Sequence, residues 1–303
     1  MIIDLHVHTY PTPEIGRQAM QGHGRSPYAG TVPELRQAMA VGGIAAAVMV
    51  NLTPIAEMRE AALRRLPAGL TGAERAEAEA RIRDELAGRL RRRNRWTLEA
   101  ARGEQGLIPF IGLDPSVLGP AELRDELETC VEAGARGIKL HPIIQRLPPT
   151  HPALWPVYEL AQELGLPVLF HSGAFGRSPW NDLARPRAFA DVLEAFPALP
   201  VVLAHLGHGY PDEARELAGR FPRLRFDTCG AVTSAQVPWR LPDAEVVARL
   251  RALGVERVGF GSDYPWFDPA ADAAYLAELP GLSAGEREAI LEGNARQLLD
   301  SDG

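Results

Sequence analysis

Short apolar segments alternate with longer amphipathic segments along nearly the whole chain. Each apolar segment is short and bounded by polar or turn-forming residues, which is typical of a buried β-strand. Between these segments apolar residues recur at three- and four-residue spacing, as at Leu123, Leu127 and Val131, which is typical of a helix packed on a sheet. The predicted strands are Ile2–His8, Ile44–Leu52, Leu107–Leu113, Gly137–His141, Pro167–His171, Pro200–His205, Leu224–Asp227 and Val258–Gly261.

Helices are predicted between these strands. Strands that are apolar throughout and separated by helices form parallel sheets with both faces covered. Eight of them predict a closed (β/α)₈ TIM barrel of the α/β class, although an open doubly wound sheet would give a similar pattern. The predicted helices are Val32–Ala40, Ala121–Ala133, Ala153–Leu164, Arg187–Ala195, Pro211–Ala218, Asp243–Leu253 and Pro269–Ala277.

Two segments depart from this alternation. Pro54–Arg102 is rich in Ala, Glu and Arg and holds no predicted strand, so we expect a helical insertion after strand two (54–102) that acts as a lid or a dimer contact. Ser283–Leu299 predicts a closing helix, with Ser283 and Glu286 forming a capping box. Because no linker divides the chain, residues 1–303 are predicted to form a single domain, and we expect a homo-oligomer, a dimer.

Composition narrows the function classes. The 303 residues include 46% hydrophobic residues, enough for a large core, and the net charge of −7 gives no electrostatic support for binding nucleic acid or an anionic membrane. Two cysteines, Cys130 and Cys229, exclude a disulfide scaffold and a cysteine-built zinc site. The start lacks the pattern of a secretion signal, and the longest aliphatic runs are too short to span a bilayer. We therefore expect a soluble cytoplasmic protein that acts on a small molecule.

Residues that can bind a metal collect at the predicted strand ends. In barrel enzymes the carboxyl ends of the strands surround the active site. His6 and His8 lie two apart on one strand, so their side chains share a face. Six of the eight histidines lie at or beside strand ends. The strand-end residues are His6, His8, Lys139, His141, His171, His205, His208 and Asp263.

Each of these residues also has a structural explanation when taken singly. His6 and His8 can be a hydrogen-bonded pair, Asp263 can cap a helix, and Lys139 can be an interior ion-pair partner. Together, however, imidazoles and a carboxylate that converge on one barrel mouth are the donors that Zn²⁺ prefers. The sequence therefore predicts a divalent metal site, with zinc as the expected ion and manganese as the alternative.

The same residues carry a resemblance to a known family. The strand-end segments resemble the amidohydrolase superfamily, and most closely its amidohydrolase-related branch of metal-dependent hydrolases and non-oxidative decarboxylases. The closing segment EGNARQLL (292–299) resembles the GNA ending of that branch. The strand-end segments are DLHVHTY (4–10), GIKLHP (137–142), PVLFHSG (167–173), VVLAHLGHG (201–209) and VGFGSDYPW (258–266).

The resemblance implies roles for the strand-end residues. In single-metal members of the branch, His6, His8, His171 and Asp263 would hold the ion. Asp263 would also accept a proton from metal-bound water, and His205 would polarise a carbonyl group or transfer a proton, so both would be catalytic.

Lys139 leaves the number of metal ions open. In two-metal members of the superfamily a carboxylated lysine on strand four bridges the ions, and His171 and His205 bind the second one. Lys139 stands in the position for that role, while His141 lies two residues further and shares its face. We favour a single ion, with Lys139 or His141 contacting the substrate.

Loop residues after the strands are candidates for substrate binding. Arginine pairs bidentately with carboxylates, so Arg146 and Arg177 indicate a carboxylate-bearing substrate, and Trp266 adds an aromatic surface. Surface arginines on loops would give the same pattern. Further candidates are Arg17, Arg25, Gln145, Trp180 and Trp239.

Several activities remain open on this pattern. A metal-dependent hydrolase, in which activated water attacks a C–O or C–N bond, is the first hypothesis. A non-oxidative decarboxylase of the aminocarboxymuconate-semialdehyde or resorcylate type is the second, because its ligand set is nearly identical. A phosphoesterase of the polymerase-and-histidinol-phosphatase type is disfavoured, since such a chain is expected to end its metal site with Asp-x-His instead of Asp263-Tyr264-Pro265. A barrel that has lost catalysis has no support, because every expected ligand position is filled.

Overall fold

The computed structural model describes residues 1–300, and within them eight parallel strands form the predicted (β/α)₈ TIM barrel. Each strand is hydrogen-bonded to the next one in the chain. The strands are β1 (Ile2–Val7), β2 (Ile44–Val50), β3 (Leu107–Gly112), β4 (Gly137–Leu140), β5 (Val168–Phe170), β6 (Val201–Leu203), β7 (Arg225–Asp227) and β8 (Val258–Gly259).

Backbone hydrogen bonds between the first and last strand regions close the barrel. The Leu5 N–H donates to the Phe260 carbonyl (2.8 Å), and the Asp263 N–H donates to the His6 carbonyl (2.9 Å). The closure therefore joins the two chain segments that carry the first and the last predicted metal ligands.

Helices surround the barrel, and several begin at the capping signals in the sequence. Thr31 and Thr71 form capping boxes with Glu34 and Glu74. The helices are α1 (Pro13–Met20), α2 (Val32–Gly42), α3 (Ile55–Leu63), α4 (Gly72–Ala101), α5 (Pro120–Glu132), α6 (Pro142–Gln145), α7 (Trp155–Glu163), α8 (Ala190–Ala195), α9 (Pro211–Arg220), α10 (Asp243–Leu253), α11 (Pro269–Glu278), α12 (Ala284–Glu288) and α13 (Asn294–Leu299). Among residues 1–300, none of these helices combines the length and the hydropathy needed to cross a bilayer.

The connection between β2 and β3 consists of α3 and α4, as the composition of Pro54–Arg102 predicts. The long helix α4 packs against β3, α3 and α5, and α3 also contacts α6 beyond β4. This connection therefore lies beside the carboxyl ends of the strands. Its role as a lid or a dimer contact stays a prediction.

Two apolar clusters divide the core. The outer cluster lies between the strands and the helices, and the inner cluster fills the barrel, with Leu5, Val50 and Phe110 among its members. The pairing of β1 with β2 is irregular between Asp4 and Val7. Before this irregularity Ile3 belongs to the inner cluster, and after it Val7 belongs to the outer one, so the side-chain alternation changes just before the mouth.

The closing helix differs from the prediction. The capping box of Ser283 and Glu286 is present, but the segment is divided into α12, a π-helical stretch at Ala289–Gly293, and α13. Within this stretch the Ile290 carbonyl accepts a hydrogen bond from the Phe260 N–H (2.8 Å). In a regular helix this carbonyl would accept a hydrogen bond from within the helix. The π-helical stretch instead turns it toward the barrel.

Candidate metal centre

Except for His6, which lies within β1, the histidines of the mouth follow their strands instead of ending them. The predicted strands ran to His8, His141, His171 and His205, but the observed strands end earlier, at Val7, Leu140, Phe170 and Leu203. Beyond these ends the histidine rings of the mouth lie close to one another, with neighbouring ring centroids 3.9–5.4 Å apart.

His6, His8 and Asp263 lie together at the junction of β1 and β8. The Asp263 Oδ1 atom is 3.5 Å from His8 Nε2 and 3.8 Å from His6 Nε2. One nitrogen or oxygen from each of the three side chains lies within 4.8 Å of the other two. Donors that bind one ion at about 2.1 Å are roughly 3–4 Å apart, so this spacing suits a shared cation.

A carboxylate behind His6 fixes the orientation of its ring. The Nδ1 atom of His6 is 2.8 Å from Asp227 Oδ2, and the carboxylate can only accept, so Nδ1 carries the hydrogen. The Nε2 lone pair of His6 is then directed into the mouth. A carboxylate that holds the distant nitrogen of a ligand histidine is a recurring support of metal sites.

His171 presents an imidazole nitrogen without a partner. Its side chain is buried, and its Nε2 atom makes no hydrogen bond within the structure. The ring stacks on that of His141, with centroids 3.9 Å apart, and lies 4.6 Å from the ring of His205. A buried polar atom without a partner is costly, and a metal ion bound there would remove this cost.

His141 has a different hydrogen-bonding state. It caps α6, because its Nδ1 atom accepts from the Ile144 N–H (3.3 Å). In the neutral ring the hydrogen is then on Nε2, which makes that atom a donor instead of a ligand. This favours the prediction of a substrate contact for His141 over a role at a second metal ion.

His205 is held through its Nδ1 atom, while its Nε2 atom makes a weak contact with the Cys229 sulfur at 3.8 Å. Its Nδ1 atom is 2.9 Å from the Cys229 carbonyl, which can only accept, so Nδ1 carries the hydrogen and Nε2 is unprotonated in the neutral ring. The His205 N–H donates to Asp227 Oδ1 (2.8 Å). The residue has φ +61°, and Leu206 has φ +51°, so the chain after β6 makes a left-handed turn that few side chains adopt.

Lys139 lies inside the site. Its side chain is buried, and Nζ is 3.2 Å from His6 Nε2. Burial lowers the pKa of Lys139 to about 8 despite the acidic groups nearby. The structure therefore brings Lys139 to the predicted ligands and leaves its role, substrate contact or second metal ion, as a prediction.

The pKa values of the site reflect burial. Desolvation, followed by the charge of Lys139, lowers the pKa of His6 to about 3, and desolvation also lowers the pKa of His8 and His171. Burial opposes ionisation of Asp263, but the hydrogen bond to His8 and the neighbouring histidines outweigh it and hold the pKa of Asp263 below its usual range. Neutral imidazoles beside an ionised carboxylate are the protonation states that a divalent ion requires.

The donor set fits a divalent cation. His6, His8 and Asp263 converge, whereas His171 is outside that group, although its ring lies 4.6 Å from the ring of His205 and its Nε2 atom has no partner. A second group, formed by His6, His205 and Cys229, also lies within 4.8 Å. Burial raises the pKa of the Cys229 thiol well above its usual value, which disfavours the thiolate that a metal ion would need.

The predicted substrate-binding residues have different positions. Trp266 is at the site, with its ring 5.3 Å from the ring of His8 in an edge-on arrangement. Arg146 is paired with Glu60 of α3 (2.9 Å) and lies over the Trp180 ring at 5.6 Å. Arg177 is exposed on the loop after β5.

The remaining loop candidates mostly have structural roles or point to solvent. Gln145 binds the backbone of His141 and of Leu113. Trp239 donates to the Gly230 carbonyl (3.0 Å) and lines a cavity of about 280 Å³ that also includes His205. Exposed side chains are found at Arg17 and Arg25.

Two carboxylates of the site were missed by the sequence analysis. Asp227 binds both His6 and the backbone of His205, and it ends β7. Asp4 accepts from the backbone N–H groups of His6 and Ser262, both at 3.0 Å, and burial raises its pKa to about 7. Asp227 ends a predicted strand, so the rule that selected the histidines would have selected it too, whereas nothing in the pattern marks Asp4.

Comparisons with known proteins identify the relatives of this chain. A family model described as Amidohydrolase matches residues 3–300. A curated relative from Dictyostelium discoideum, named 2-amino-3-carboxymuconate-6-semialdehyde decarboxylase, is 24% identical over 229 residues, which are 64% of this chain. The matched region spans 62% of that relative's length.

Solved structures share the fold over almost the whole chain. An uncharacterised TIM-barrel protein from Bordetella bronchiseptica has a TM-score of 0.73 and 20% identity, with 98% of each chain covered. A dihydroxybenzoic acid decarboxylase from Polaromonas, solved with manganese and the inhibitor 2-nitroresorcinol, has a TM-score of 0.72 and 18% identity, covering 98% of this chain and 96% of its own. At these identities the likeness establishes the fold.

Proposed function

The chain belongs to the amidohydrolase family, and from this premise we propose that it is a metal-dependent, non-oxidative decarboxylase of an aromatic or dienoic carboxylic acid. The sequence alone ranked hydrolysis first and decarboxylation second. Relatives named as decarboxylases, one of them with bound manganese, support the second reading. Hydrolysis by the same site is the competing hypothesis.

The observation that carries the proposal is the state of His205 beside the donor set. Decarboxylation breaks the bond between the carboxyl carbon and its neighbour, releases CO₂, and leaves an electron pair on that neighbour, which must take up a proton. The Nδ1 hydrogen of His205 is held by the Cys229 carbonyl, so Nε2 is the atom that can receive and transfer a proton. We propose His205 as the group that exchanges this proton with the substrate.

The other residues position the substrate and the ion. His6, His8, His171 and Asp263 would hold a divalent ion, zinc or manganese, which when bound would supply a positive charge for the oxygen atoms of the substrate. The edge-on contact of Trp266 with His8 places an aromatic wall beside this group. His141, whose Nε2 is a donor, can hydrogen-bond a substrate oxygen.

The test compares CO₂ release with hydrolysis on the metal-loaded protein. With Mn²⁺ or Zn²⁺ at about one equivalent per chain, we expect CO₂ release from a panel of hydroxybenzoic and dienoic acids. The His205→Asn variant should keep its metal content and lose roughly 10²–10⁴-fold in kcat, the usual contribution of acid–base catalysis. His151→Asn is the matched control, since His151 caps the turn at Pro152–Leu154.

Different outcomes separate the hypotheses. Ester, lactone or amide hydrolysis without CO₂ release would contradict decarboxylation and favour the hydrolase. Binding of two equivalents by the wild-type protein from excess Mn²⁺ or Zn²⁺, with only one retained in His205→Asn, would instead indicate a two-metal site that includes Lys139.

A further inference from the structure

The long helix α4 delivers an arginine to the barrel mouth that the sequence analysis did not single out. The Arg93 guanidinium donates through Nη2 to the Thr9 carbonyl, one residue after His8. It lies over the Tyr10 ring at 5.2 Å and over the Trp96 ring at 4.7 Å. The planar cation is therefore held by two aromatic rings and one backbone acceptor at the carboxyl end of β1.

The positive charge of Arg93 is not balanced by a carboxylate. Within residues 1–300, no Asp or Glu oxygen lies within 4 Å of its guanidinium, whereas Arg91 on the same helix pairs with Glu122 (3.1 Å). Burial lowers the pKa of Arg93 to about 10, and the only acidic group acting on it is the phenol of Tyr10. Arg93 is half-buried, and a partly desolvated cation without an ion-pair partner is stabilised by a bound anion.

Arg93 lies next to the predicted metal ligands. The Thr9 carbonyl that accepts its hydrogen bond belongs to the residue directly after His8, and its guanidinium lies over the ring of the next residue, Tyr10. The arginine therefore borders the donor set on the side of β1 and α4.

The arginines predicted from the sequence do not offer a comparable free charge. Arg146 is paired with Glu60, and Arg177 is exposed to solvent, where an ion pair contributes little. Arg93 makes one hydrogen bond, to Thr9, so most of its five donors remain for a ligand.

We propose that Arg93 binds a second carboxylate of the substrate, one that is retained in the product, so that the substrate is a dicarboxylic acid. This inference rests on the proposed function and specifies its substrate class. A guanidinium binds a carboxylate through two parallel hydrogen bonds, and the rings of Tyr10 and Trp96 fix its plane.

The test measures how strongly the zinc-loaded protein prefers dicarboxylates. Calorimetry with benzoate and with the three isomeric benzenedicarboxylates gives the preference as a ratio of Kd values, independent of turnover. We expect the wild-type protein to bind its best dicarboxylate at least about tenfold more tightly than benzoate, as one charge-assisted pair provides.

Three variants locate the source of the preference. Arg93→Gln should reduce the ratio to within about twofold of unity while its Kd for benzoate stays near the wild-type value. Arg93→Lys should keep part of the preference, because it keeps the charge and loses the fork. Arg92→Gln is the matched control, since Arg92 is the exposed neighbour on the same helix.

Two results would overturn the inference. One is a wild-type protein without a dicarboxylate preference, and the other is an Arg93→Gln variant that keeps the preference or weakens benzoate equally, as a purely structural arginine would. If the wild-type protein releases CO₂ but Arg93→Gln keeps the dicarboxylate preference, the role of Arg93 is contradicted and the proposed function is not. An Arg93-dependent preference without CO₂ release from any acid contradicts the proposed function alone.

Discussion

Asp227 connects the metal-binding and proton-transferring halves of the candidate site. Its Oδ2 holds Nδ1 of His6 and its Oδ1 accepts from the backbone N–H of His205, each at 2.8 Å. Burial opposes its ionisation, but the charge and hydrogen bond of His6 and the proximity of His205 lower the pKa of Asp227 to about 2. An ionised carboxylate here keeps the His6 hydrogen on Nδ1, away from the ion.

Replacing this carboxylate should weaken metal binding without removing a ligand. In Asp227→Asn we expect about 10–100-fold weaker affinity for Zn²⁺, the usual effect of losing the partner behind a ligand histidine. Competition with a chromophoric chelator measures the affinity, and Asp125→Asn, an exposed site on α5, is the control. An unchanged affinity in Asp227→Asn would refute the proposed orientation of His6.

For the individual residues of the site, the sequence predicted which side chains lie together but not how they are hydrogen-bonded. His6, His8 and Asp263 were predicted from their strand ends and do lie together. The tautomers of His141 and His205 depend on the α6 cap and on the Cys229 carbonyl, which are contacts of the folded chain. Their catalytic and ligand roles stay predictions.

A small residue in one barrel strand makes room for a large side chain from the neighbouring strand. Gly137 of β4 pairs with Phe110 of β3, and a Cβ at Gly137 would lie 2.4–2.6 Å from ring atoms of Phe110. The ring is fully buried in the inner cluster, so it cannot move into solvent. The glycine is therefore required by packing rather than by backbone conformation.

Adding a methyl group at this position should destabilise the barrel. Gly137→Ala is expected to lower the free energy of unfolding by about 1–3 kcal/mol, the usual cost of overpacking. Urea unfolding monitored by circular dichroism measures the change. Gly285→Ala in α12 is the control, because a Cβ there contacts nothing within 4 Å. Equal stability of Gly137→Ala and the wild-type protein would show that the ring can shift.

Helix bounds were predicted well where they depend on local sequence signals, namely hydrophobic periodicity and capping residues. α10 has the predicted bounds, Asp243–Leu253, and the capping box at Ser283 is present. The strand ends and the π-helical stretch at Ala289–Gly293 were not predicted. Both are set by contacts between distant segments, such as the Phe260 N–H with the Ile290 carbonyl, which a local pattern does not contain.

Across the whole molecule, the proposed metal site joins the two ends of the barrel sheet. His6 lies near the end of β1, His8 follows it, and Asp263 follows β8, where backbone hydrogen bonds complete the closure. An ion bound by both segments binds the closed barrel and not the unfolded chain. Metal binding should therefore stabilise the entire fold.

Removal of the metal should lower the thermal midpoint. A free ion concentration of 1,000 Kd stabilises the folded state by about 4 kcal/mol, which corresponds to roughly 6 °C in Tm for a domain of this size. Scanning calorimetry of chelator-treated and Zn²⁺-loaded protein measures the difference, and Asp263→Asn should show a smaller one. Identical Tm values with and without Zn²⁺ would contradict an ion that bridges β1 and β8.

The closure between β1 and β8 also sets an order of events during protein synthesis. The residues around His6 leave the ribosome before Asp227 and Asp263, which orient and complete the predicted donor set and follow more than two hundred residues later. At about 5–20 residues per second, His6 and His8 wait roughly ten seconds or longer for these partners. The full donor set therefore exists only after translation of the barrel is nearly complete, so capture of an ion by the proposed site would be a late step in the maturation of this chain.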